Sequence, residues 1–229
     1  HVSIARYRWV YSITCGVASL GLVIGFSMVL RDTYPSLSTE PSLLGSPGQP
    51  LIHRIVDYLS FFTIWSNIVV AIVAGHFAYR PRAASSWFRT LWLSALLMIS
   101  VTGLIYHFAL ADLVDTQGAA AVSNACNHIL TPLAFVLAWL IVGPRGWISA
   151  KLIMASFILP LSWILLTLIR GAIIDAYPYP FVNVVKLGYG PVLTNLAVIL
   201  LACCVLALVL WGVDKAMVLL TTRRGRIRG

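Results

Sequence analysis

The sequence predicts an all-α membrane protein with six transmembrane helices and with both termini on the cytoplasmic side of the membrane. Hydrophobic residues make up 60% of the 229 residues, and charged residues make up only 10%. Six apolar runs each come near the ~20 residues that a helix needs to cross a bilayer. A soluble fold would leave these runs without a buried environment, so we expect residues 1–229 to form a single transmembrane domain.

The six predicted spans are joined by short polar connections except at two places. The first run is too long and too rich in glycine, serine and aromatic residues for a signal peptide, so we interpret it as a helix of the mature protein. Residues 31–53 are predicted to form an outer loop of turn-forming residues, and the aromatic and proline-rich residues 170–190 an outer cap at the membrane interface. The predicted spans are 9–30, 55–78, 89–111, 122–142, 152–169 and 191–213.

The positions of the basic residues set the predicted orientation. With a cytoplasmic N-terminus, 12 of the 16 Lys and Arg residues fall in inside segments, and four fall outside: Arg31, Arg54, Arg170 and Lys186. Inside segments of membrane proteins carry an excess of Lys and Arg, so this division predicts cytoplasmic termini. The excess of Arg over Lys and the abundance of Ala are typical of a bacterium with a GC-rich genome, so we expect the protein in a bacterial inner membrane.

The net charge of +9 does not indicate nucleic-acid binding. The basic residues lie at the ends of the predicted helices, where they act as topology signals and contact anionic lipid headgroups. The arginine-rich tail at residues 223–228 fits the same role. We therefore expect membrane lipids, and no nucleic acid, as partners.

A polar stripe on the second span predicts a buried functional site. Ser60, Thr63, Ser66 and Asn67 follow the i, i+3, i+4 spacing that brings side chains onto one helix face. At ~1.5 Å per residue, Thr63 lies about 13 Å inward of Arg54. Polar side chains are costly in hydrocarbon and usually face the interior of a helix bundle, so this stripe should face other helices.

The fourth span brings an imidazole to a similar depth. Asn124 and His128 share one helix face, and Asn127 lies beside them. Pro132 clashes with the carbonyl four residues earlier, which belongs to His128, so the turn at the histidine should be loosened. We therefore predict that Thr63 and His128 meet within hydrogen-bond reach in the outer half of the membrane.

Two more spans place polar residues at the same end of the bundle. On the third span, His107 shares a stripe with Ser100 and Gly103, and the glycine permits close approach of a neighbouring helix. On the sixth span, Asn195 lies just below the outer surface. We therefore include His107 and Asn195 among the candidate site residues.

Three segments carry a resemblance to a known family. They are Asp57-Tyr58-x-x-Phe61-Phe62-Thr63-x-x-Ser66-Asn67, Asn127-His128-x-x-x-Pro132, and Tyr177-Pro178-Tyr179-Pro180-Phe181 followed by Gly188-Tyr189. Over roughly residues 50–200 the chain resembles the androgen-induced-protein family, and in particular its prokaryotic six-helix branch. Animal members are multi-pass hydrolases of fatty acid esters of hydroxy fatty acids that use a threonine and a histidine. The resemblance therefore implies a threonine-type carboxylic ester hydrolase, with Thr63 as nucleophile and His128 as base.

The chemistry of the two side chains is compatible with these roles. A threonine hydroxyl is a weak nucleophile until a neighbouring base takes its proton, and neutral imidazole is the usual base. No carboxylate at this depth completes a triad, so we expect a dyad that needs no metal or cofactor. The remaining predicted site residues are Asn67, Asn127, Ser66, Asn124 and Asn195 as oxyanion donors or polar support, and His107, Arg54, Arg170, Lys186, Tyr177 and Tyr179 as contacts to a lipid substrate bearing a carboxylate.

Two other functions compete with the dyad. In the first, His107 and His128 bind zinc together with Asp112 or Asp57, and the metal activates water. In the second, the protein is no enzyme, and the polar layer holds the headgroup of a lipid in a binding or transport bundle. The sequence leaves the oligomeric state open.

Overall fold

The structure is a computed structural model that describes residues 3–35, 43–44, 48–81, 84–113 and 116–227. Within these ranges all regular secondary structure is helical. Six helices are long and apolar enough to cross a membrane. The prediction of an all-α protein with six membrane-spanning helices is confirmed to this extent, and parts of the predicted outer loop, 36–42 and 45–47, lie outside the described residues.

Several of the six spans are interrupted by short irregular turns, so the helical segments outnumber the spans. The π-helical turn Tyr106–Leu110 continues α4. A second π-helical turn, Cys126–Leu130, connects α5 to α6. The helices are α1 (Ile4–Arg31), α2 (Leu51–Tyr58), α3 (Phe62–Tyr79), α4 (Ser86–Ile105), α5 (Gly118–Ala125), α6 (Thr131–Val142), α7 (Ala150–Ser156), α8 (Ile158–Ile174), α9 (Val184–Leu187) and α10 (Tyr189–Ile227).

The main core lies between α1, α3, α4 and α6. Large aromatic side chains from these helices, among them Tyr11, Phe77, Trp92 and Trp139, are almost completely buried. The most apolar stretch of the α4 span is 56% buried, whereas those of the α7–α8 and α10 spans are 17% and 22% buried. The last two spans therefore pack at the periphery and leave wide apolar faces for lipid, as expected in a bilayer.

The second predicted span is broken, so the prediction of one helix over 55–78 is wrong. Helix α2 ends at Tyr58 and α3 begins at Phe62. The indole N–H of Trp65 donates to the Leu59 carbonyl at 2.7 Å, and that of Trp163 donates to the Ser60 carbonyl at 2.9 Å. In a continuous helix these carbonyls would accept from backbone N–H groups four residues later. The break places Thr63 in the first turn of α3.

The loosened turn expected at His128 is present as the π-helical turn Cys126–Leu130. Pro132 follows it in the first turn of α6, where the proline ring disfavours a regular hydrogen bond to the His128 carbonyl. Gly103 faces this turn, and a Cβ added to it would lie 3.1 Å from Cβ of Pro132. The glycine therefore lets α4 approach the helix that carries the histidine.

The predicted fifth span is interrupted at Phe157, between α7 and α8. Pro160 lies three residues further on and cannot donate to the carbonyl of Ser156. The Ser94 hydroxyl donates to this carbonyl at 3.0 Å. A side chain of α4 thus satisfies the backbone acceptor that the proline leaves open.

Candidate active site

Thr63 and His128 come together between α3 and the π-helical turn of the fourth span. Thr63 Oγ1 lies 3.1 Å from His128 Nε2, which is hydrogen-bond distance. The Thr63 side chain is buried, with 7% relative exposure. The predicted approach of these two residues is confirmed, and their catalytic roles remain predictions.

The orientation of the imidazole directs the basic nitrogen of His128, Nε2, at the Thr63 hydroxyl. His128 Nδ1 lies 3.2 Å from the backbone carbonyl of Asn124, one turn earlier. A carbonyl can only accept, so this contact places the proton of the neutral ring on Nδ1 and leaves Nε2 with a lone pair. The Thr63 hydroxyl then donates to Nε2.

A tyrosine that the sequence analysis missed packs against the face of the imidazole ring. The rings of Tyr106 and His128 stack with their centroids 4.4 Å apart and an interplanar angle of 20°. Asn124 Nδ2 donates to the Tyr106 hydroxyl at 2.6 Å. Asn124 therefore supports His128 twice, through its own carbonyl and through Tyr106, which agrees with its predicted supporting role.

Tyr179 brings a second hydroxyl to Thr63. Its oxygen lies 3.2 Å from Thr63 Oγ1 and accepts from the Thr63 N–H at 3.2 Å. This N–H has lost its helical acceptor, the Leu59 carbonyl, at the break before α3. Burial raises the pKa of the Tyr179 hydroxyl above its ordinary value, so the group stays protonated and able to donate. The sequence analysis predicted a substrate contact for Tyr179, and the structure places it against the hydroxyl of Thr63.

The cap that carries Tyr179, residues 175–188, is fixed to the bundle by packing and hydrogen bonds. The ring of Tyr179 stacks on Phe181 with centroids 5.3 Å apart. Asn195 of α10 donates its side-chain amide to the Phe181 carbonyl at 2.9 Å. Asn195 was predicted as an oxyanion donor or as polar support; its amide donates to the cap backbone, so of these two roles it has that of support, by positioning the segment that carries Tyr179.

The side chain of Tyr177 anchors the same cap. It is buried against α8 at Gly171, where an added Cβ would lie 2.0 Å from a ring carbon of Tyr177. Tyr177 was predicted to contact substrate, and its ring instead fills the space beside the glycine. Its role in the structure is to dock the cap.

The amides of Asn67 and Asn127 do not point at the reacting pair. Asn67 Nδ2 donates to the carbonyls of Thr63 and Asn127 at 2.8 and 3.1 Å. Asn127 Nδ2 faces the Ser123 hydroxyl at 3.3 Å, and its Oδ1 packs against Gly21 of α1. Asn67 uses both of its side-chain N–H groups within the bundle, and Asn127 directs its amide at Ser123 and Gly21, so the predicted oxyanion role of these two amides is corrected.

Ser66 lies on the same side of α3 and also acts within the bundle. Its hydroxyl donates to the Thr63 carbonyl at 2.9 Å and lies 2.9 Å from the Thr102 hydroxyl on α4. Ser66 and Asn67 thus both bind the carbonyl of the candidate nucleophile. They hold the first turn of α3 in place, as polar support and not as donors to an oxyanion.

His107 is an exposed residue on the π-helical turn that ends the third span. A π-helical turn has more residues than an α-helical turn, so it changes which side chains share a face. Tyr106, and not His107, faces His128. His107 therefore lies outside the contacts of the Thr63–His128 pair, and its contact with a substrate stays a prediction.

The three predicted contacts for a substrate carboxylate differ in their surroundings. Arg54 forms an ion pair with Asp32 at 3.4 Å, and Arg170 forms one with the buried Asp57. Burial raises the pKa of the Asp57 carboxyl, and its hydrogen bond with Arg170 opposes that change. Lys186 is exposed on α9 and forms no ion pair in the described part of the chain. Both arginines thus already have a carboxylate partner, and their contact with a substrate carboxylate stays a prediction.

An apolar cavity of about 50 Å³ opens beside Thr63 and Tyr179. Four of its lining residues follow i, i+3, i+4, i+7 spacing on α10, so one face of this helix forms a wall. Because successive residues rise ~1.5 Å, this face extends roughly 10 Å along the helix. These residues are Leu196, Ile199, Leu200 and Cys203.

The residues of the zinc alternative do not converge. His107 is exposed, and Asp57 is paired with Arg170. Over the ranges that the structure describes, no three His, Cys, Asp or Glu side chains are grouped so as to hold a metal ion. The geometry therefore favours the hydroxyl–imidazole pair as the chemical centre.

Comparison of the chain with protein-family models, with characterised proteins and with solved structures finds no match. The fold and site nevertheless define a class: a six-helix membrane protein with a threonine–histidine pair buried beneath a tyrosine-bearing cap. The relation to the androgen-induced-protein family remains a resemblance carried by the three sequence segments.

Replacing Gly171 by alanine is expected to displace the cap and lower any activity of the site by at least about tenfold. The added methyl overlaps the Tyr177 ring, and overpacking of this kind costs about 1–3 kcal/mol. Tyr179 lies two residues further on and would shift away from Thr63. Gly190→Ala, where an added Cβ has no neighbour within 4 Å, is the matched control. Full activity of Gly171→Ala would show that the position of the cap does not matter.

Proposed function

We propose that the protein is an intramembrane hydrolase of lipid esters, such as fatty acid esters of hydroxy fatty acids, with Thr63 as nucleophile and His128 as base. The observation that carries this proposal is the 3.1 Å contact between Thr63 Oγ1 and His128 Nε2, with Nδ1 on the Asn124 carbonyl. Nucleophile, base and orienting group stand in the relation that nucleophilic catalysis requires.

The reaction proceeds in two halves. Thr63 Oγ1 bonds to the ester carbonyl carbon as its proton passes to His128 Nε2, and the alcohol then leaves with that proton. Water next attacks the acyl-threonine, giving its proton to His128, and the fatty acid leaves as the Thr63 hydroxyl re-forms. Each half begins and ends with neutral imidazole, so the base is regenerated in each half.

The surroundings of the dyad support a lipid as substrate. The cavity beside Thr63 is lined almost entirely by apolar side chains, which suits an acyl chain entering from the bilayer. The polar end of the cavity is formed by the hydroxyls of Thr63 and Tyr179. An ester placed there has its carbonyl at the nucleophile and its chain among aliphatic residues.

A carboxylate on the substrate has two candidate contacts near the cap. Lys186 is exposed on α9 and provides an ammonium group. A second cavity of about 240 Å³ is bordered by Arg170, whose guanidinium uses only part of its five donors on Asp57 and Ser60. These cations support a substrate that carries a free carboxylate, although the pairing of Arg170 reduces its net charge.

The proposal includes an orientation with both termini in the cytoplasm of a bacterium and the cap on the outer side of its inner membrane. The division of Lys and Arg residues supports it. In intact cells, a cysteine replacing Pro50 should react with a membrane-impermeant maleimide, and one replacing Ala84 should not. The four native cysteines would first be replaced. Reaction at position 84 but not at position 50 would reverse the topology.

Hydrolysis by purified protein in lipid vesicles tests the proposed activity. Wild-type protein should release fatty acid from a fatty acid ester of a hydroxy fatty acid, and the methyl ester of the same compound should be turned over less well if the carboxylate is recognised. Saturable binding of the lipid without turnover would favour the non-enzymatic binding bundle, for which the apolar cavity is the supporting observation.

A further inference from the structure

The proposed reaction needs donors for the negative charge that develops on the ester carbonyl oxygen, and the asparagine amides do not provide them. Those of Asn67 and Asn127 are engaged with Thr63, Asn127 and Ser123. Removing a single oxyanion donor commonly costs 10²–10³-fold in rate, so an active hydrolase should have such a group close to its nucleophile.

Among the residues that line the cavity at Thr63, only one hydroxyl besides that of Thr63 itself is directed at the reacting atoms. The Thr102 hydroxyl is engaged with Ser66 at 2.9 Å, and the Trp163 indole N–H donates to Ser60 at 2.9 Å. Tyr179 has its oxygen 3.2 Å from Thr63 Oγ1. By position, Tyr179 is therefore the candidate donor.

The directions of the hydrogen bonds agree with this role. Because His128 Nδ1 donates to a carbonyl, Nε2 accepts the proton of the Thr63 hydroxyl. Thr63 Oγ1 then has only lone pairs left for Tyr179, so the tyrosine O–H is the donor in that contact. The tyrosine oxygen in turn accepts from the N–H of Thr63.

The first turn of α3 supports the tyrosine hydroxyl. Phe61 provides no side-chain cap for this helix, so the earliest N–H groups point out of it without helical partners. The N–H of Thr63 donates to the Tyr179 oxygen at 3.2 Å. The first-turn N–H groups also carry the positive end of the dipole of an 18-residue helix.

We propose that the Tyr179 hydroxyl is the oxyanion donor of this site, and that the Thr63 backbone N–H, which donates to the tyrosine oxygen, holds and polarises it. The inference deepens the proposed ester hydrolysis and rests on it. As Oγ1 bonds to the carbonyl carbon, the π electron pair moves to the carbonyl oxygen, and Oγ1 no longer needs the tyrosine proton. The tyrosine O–H rotates about its C–O bond to that oxygen, and the proton stays on the tyrosine. Collapse of the intermediate returns the pair to the C=O bond and expels the alcohol.

The arrangement also gives a reason for the broken second span. A continuous helix would direct the Thr63 N–H to the Leu59 carbonyl, which the Trp65 indole occupies instead. The freed N–H is then directed at Tyr179, beside the nucleophile. The break and the cap thus fix the tyrosine hydroxyl next to Thr63 Oγ1.

The isosteric variant Tyr179→Phe tests the proposal. We expect kcat to fall about 10²–10³-fold while KM changes by no more than a few-fold, because the donor acts on the transition state. A long-chain alkylboronic acid forms a tetrahedral adduct on the threonine and should bind more weakly by a similar factor. A non-hydrolysable ether analogue, which has no carbonyl oxygen, should bind equally well to both proteins.

Tyr58→Phe is the matched control. The Tyr58 side chain is also buried, and its hydroxyl donates to the Leu22 carbonyl at 3.0 Å, away from the reacting pair. It should lose thermal stability and keep kcat. A merely structural role for Tyr179 would instead lower stability and weaken the ether analogue and the boronate alike, which would overturn the proposal.

The outcomes also separate this inference from the function on which it rests. If Thr63→Ala is inactive and Tyr179→Phe keeps its rate within about threefold, the hydrolase stands and the oxyanion role of Tyr179 is wrong. If wild-type protein turns over no lipid ester, both proposals fail together.

Discussion

Replacing Thr63 by alanine is expected to reduce lipid-ester hydrolysis by at least about 10³-fold. The substitution removes the oxygen that lies 3.1 Å from His128 Nε2, so no acyl-enzyme can form. His128→Ala should cost about as much, because an unactivated threonine hydroxyl is a weak nucleophile. The double variant should be no slower than either single variant, since members of a catalytic unit are non-additive.

Thr63→Ser and Thr194→Ala are the controls for this series. Serine keeps a hydroxyl at the nucleophile position and should retain measurable activity. Thr194 is exposed on α10, where its hydroxyl bonds back to the Gly190 carbonyl, and its loss should leave the rate unchanged. Additive losses in the double variant, or a normal rate for Thr63→Ala, would mean that the two residues do not work as a pair.

Replacing Asp214 by alanine is expected to destabilise the fold by about 3–5 kcal/mol. Its fully buried carboxylate on α10 accepts from the N–H groups of Gly146 and Ile148 at 2.8 and 3.1 Å. These two hydrogen bonds link the last span to the connection between α6 and α7. Their loss leaves two backbone donors without partners and removes an attractive charge from Arg145.

Unfolding in bicelles measures this effect, with Asp112→Ala as the control because the Asp112 side chain is exposed. Asp214→Asn should lose less stability than Asp214→Ala, since its amide oxygen still accepts one of the two bonds. Equal stability of wild type and Asp214→Ala would show that the last span is held by apolar packing alone.

The outline of the site was predictable because it depends on depth and on residue type. Thr63 and His128 are polar residues at similar distances from one membrane surface, and the bilayer leaves few places for such groups other than a bundle interior. Pro132 identified the irregular turn at His128 from the sequence, because its effect is local and steric. The six spans followed in the same way from their length and hydropathy.

The remaining features depend on contacts between residues far apart in the sequence. The break before Phe62 involves Trp163, which is 103 positions from the carbonyl that it binds. Tyr106 stacks on His128, which belongs to another span, and residue spacing within one helix does not show such a contact.

The role of Tyr179 could have been suspected from a different signal. It lies in the segment Tyr177-Pro178-Tyr179-Pro180-Phe181, where alternating prolines restrict the backbone and can present a side chain in a fixed direction. The sequence could not show which side chain the tyrosine meets. That contact, with Thr63, joins positions 116 apart.

Covalent labelling of Thr63 tests the central claim most directly. Purified protein in lipid vesicles would be treated with a long-chain fluorophosphonate and digested, and the modified residue identified by mass spectrometry. The account predicts a phosphonyl adduct on Thr63 that is lost in Thr63→Ala, strongly slowed in His128→Ala and unchanged in Thr194→Ala. Absence of an adduct on Thr63 under conditions in which the protein hydrolyses lipid esters, or equal labelling of wild type and His128→Ala, would contradict a threonine nucleophile activated by His128.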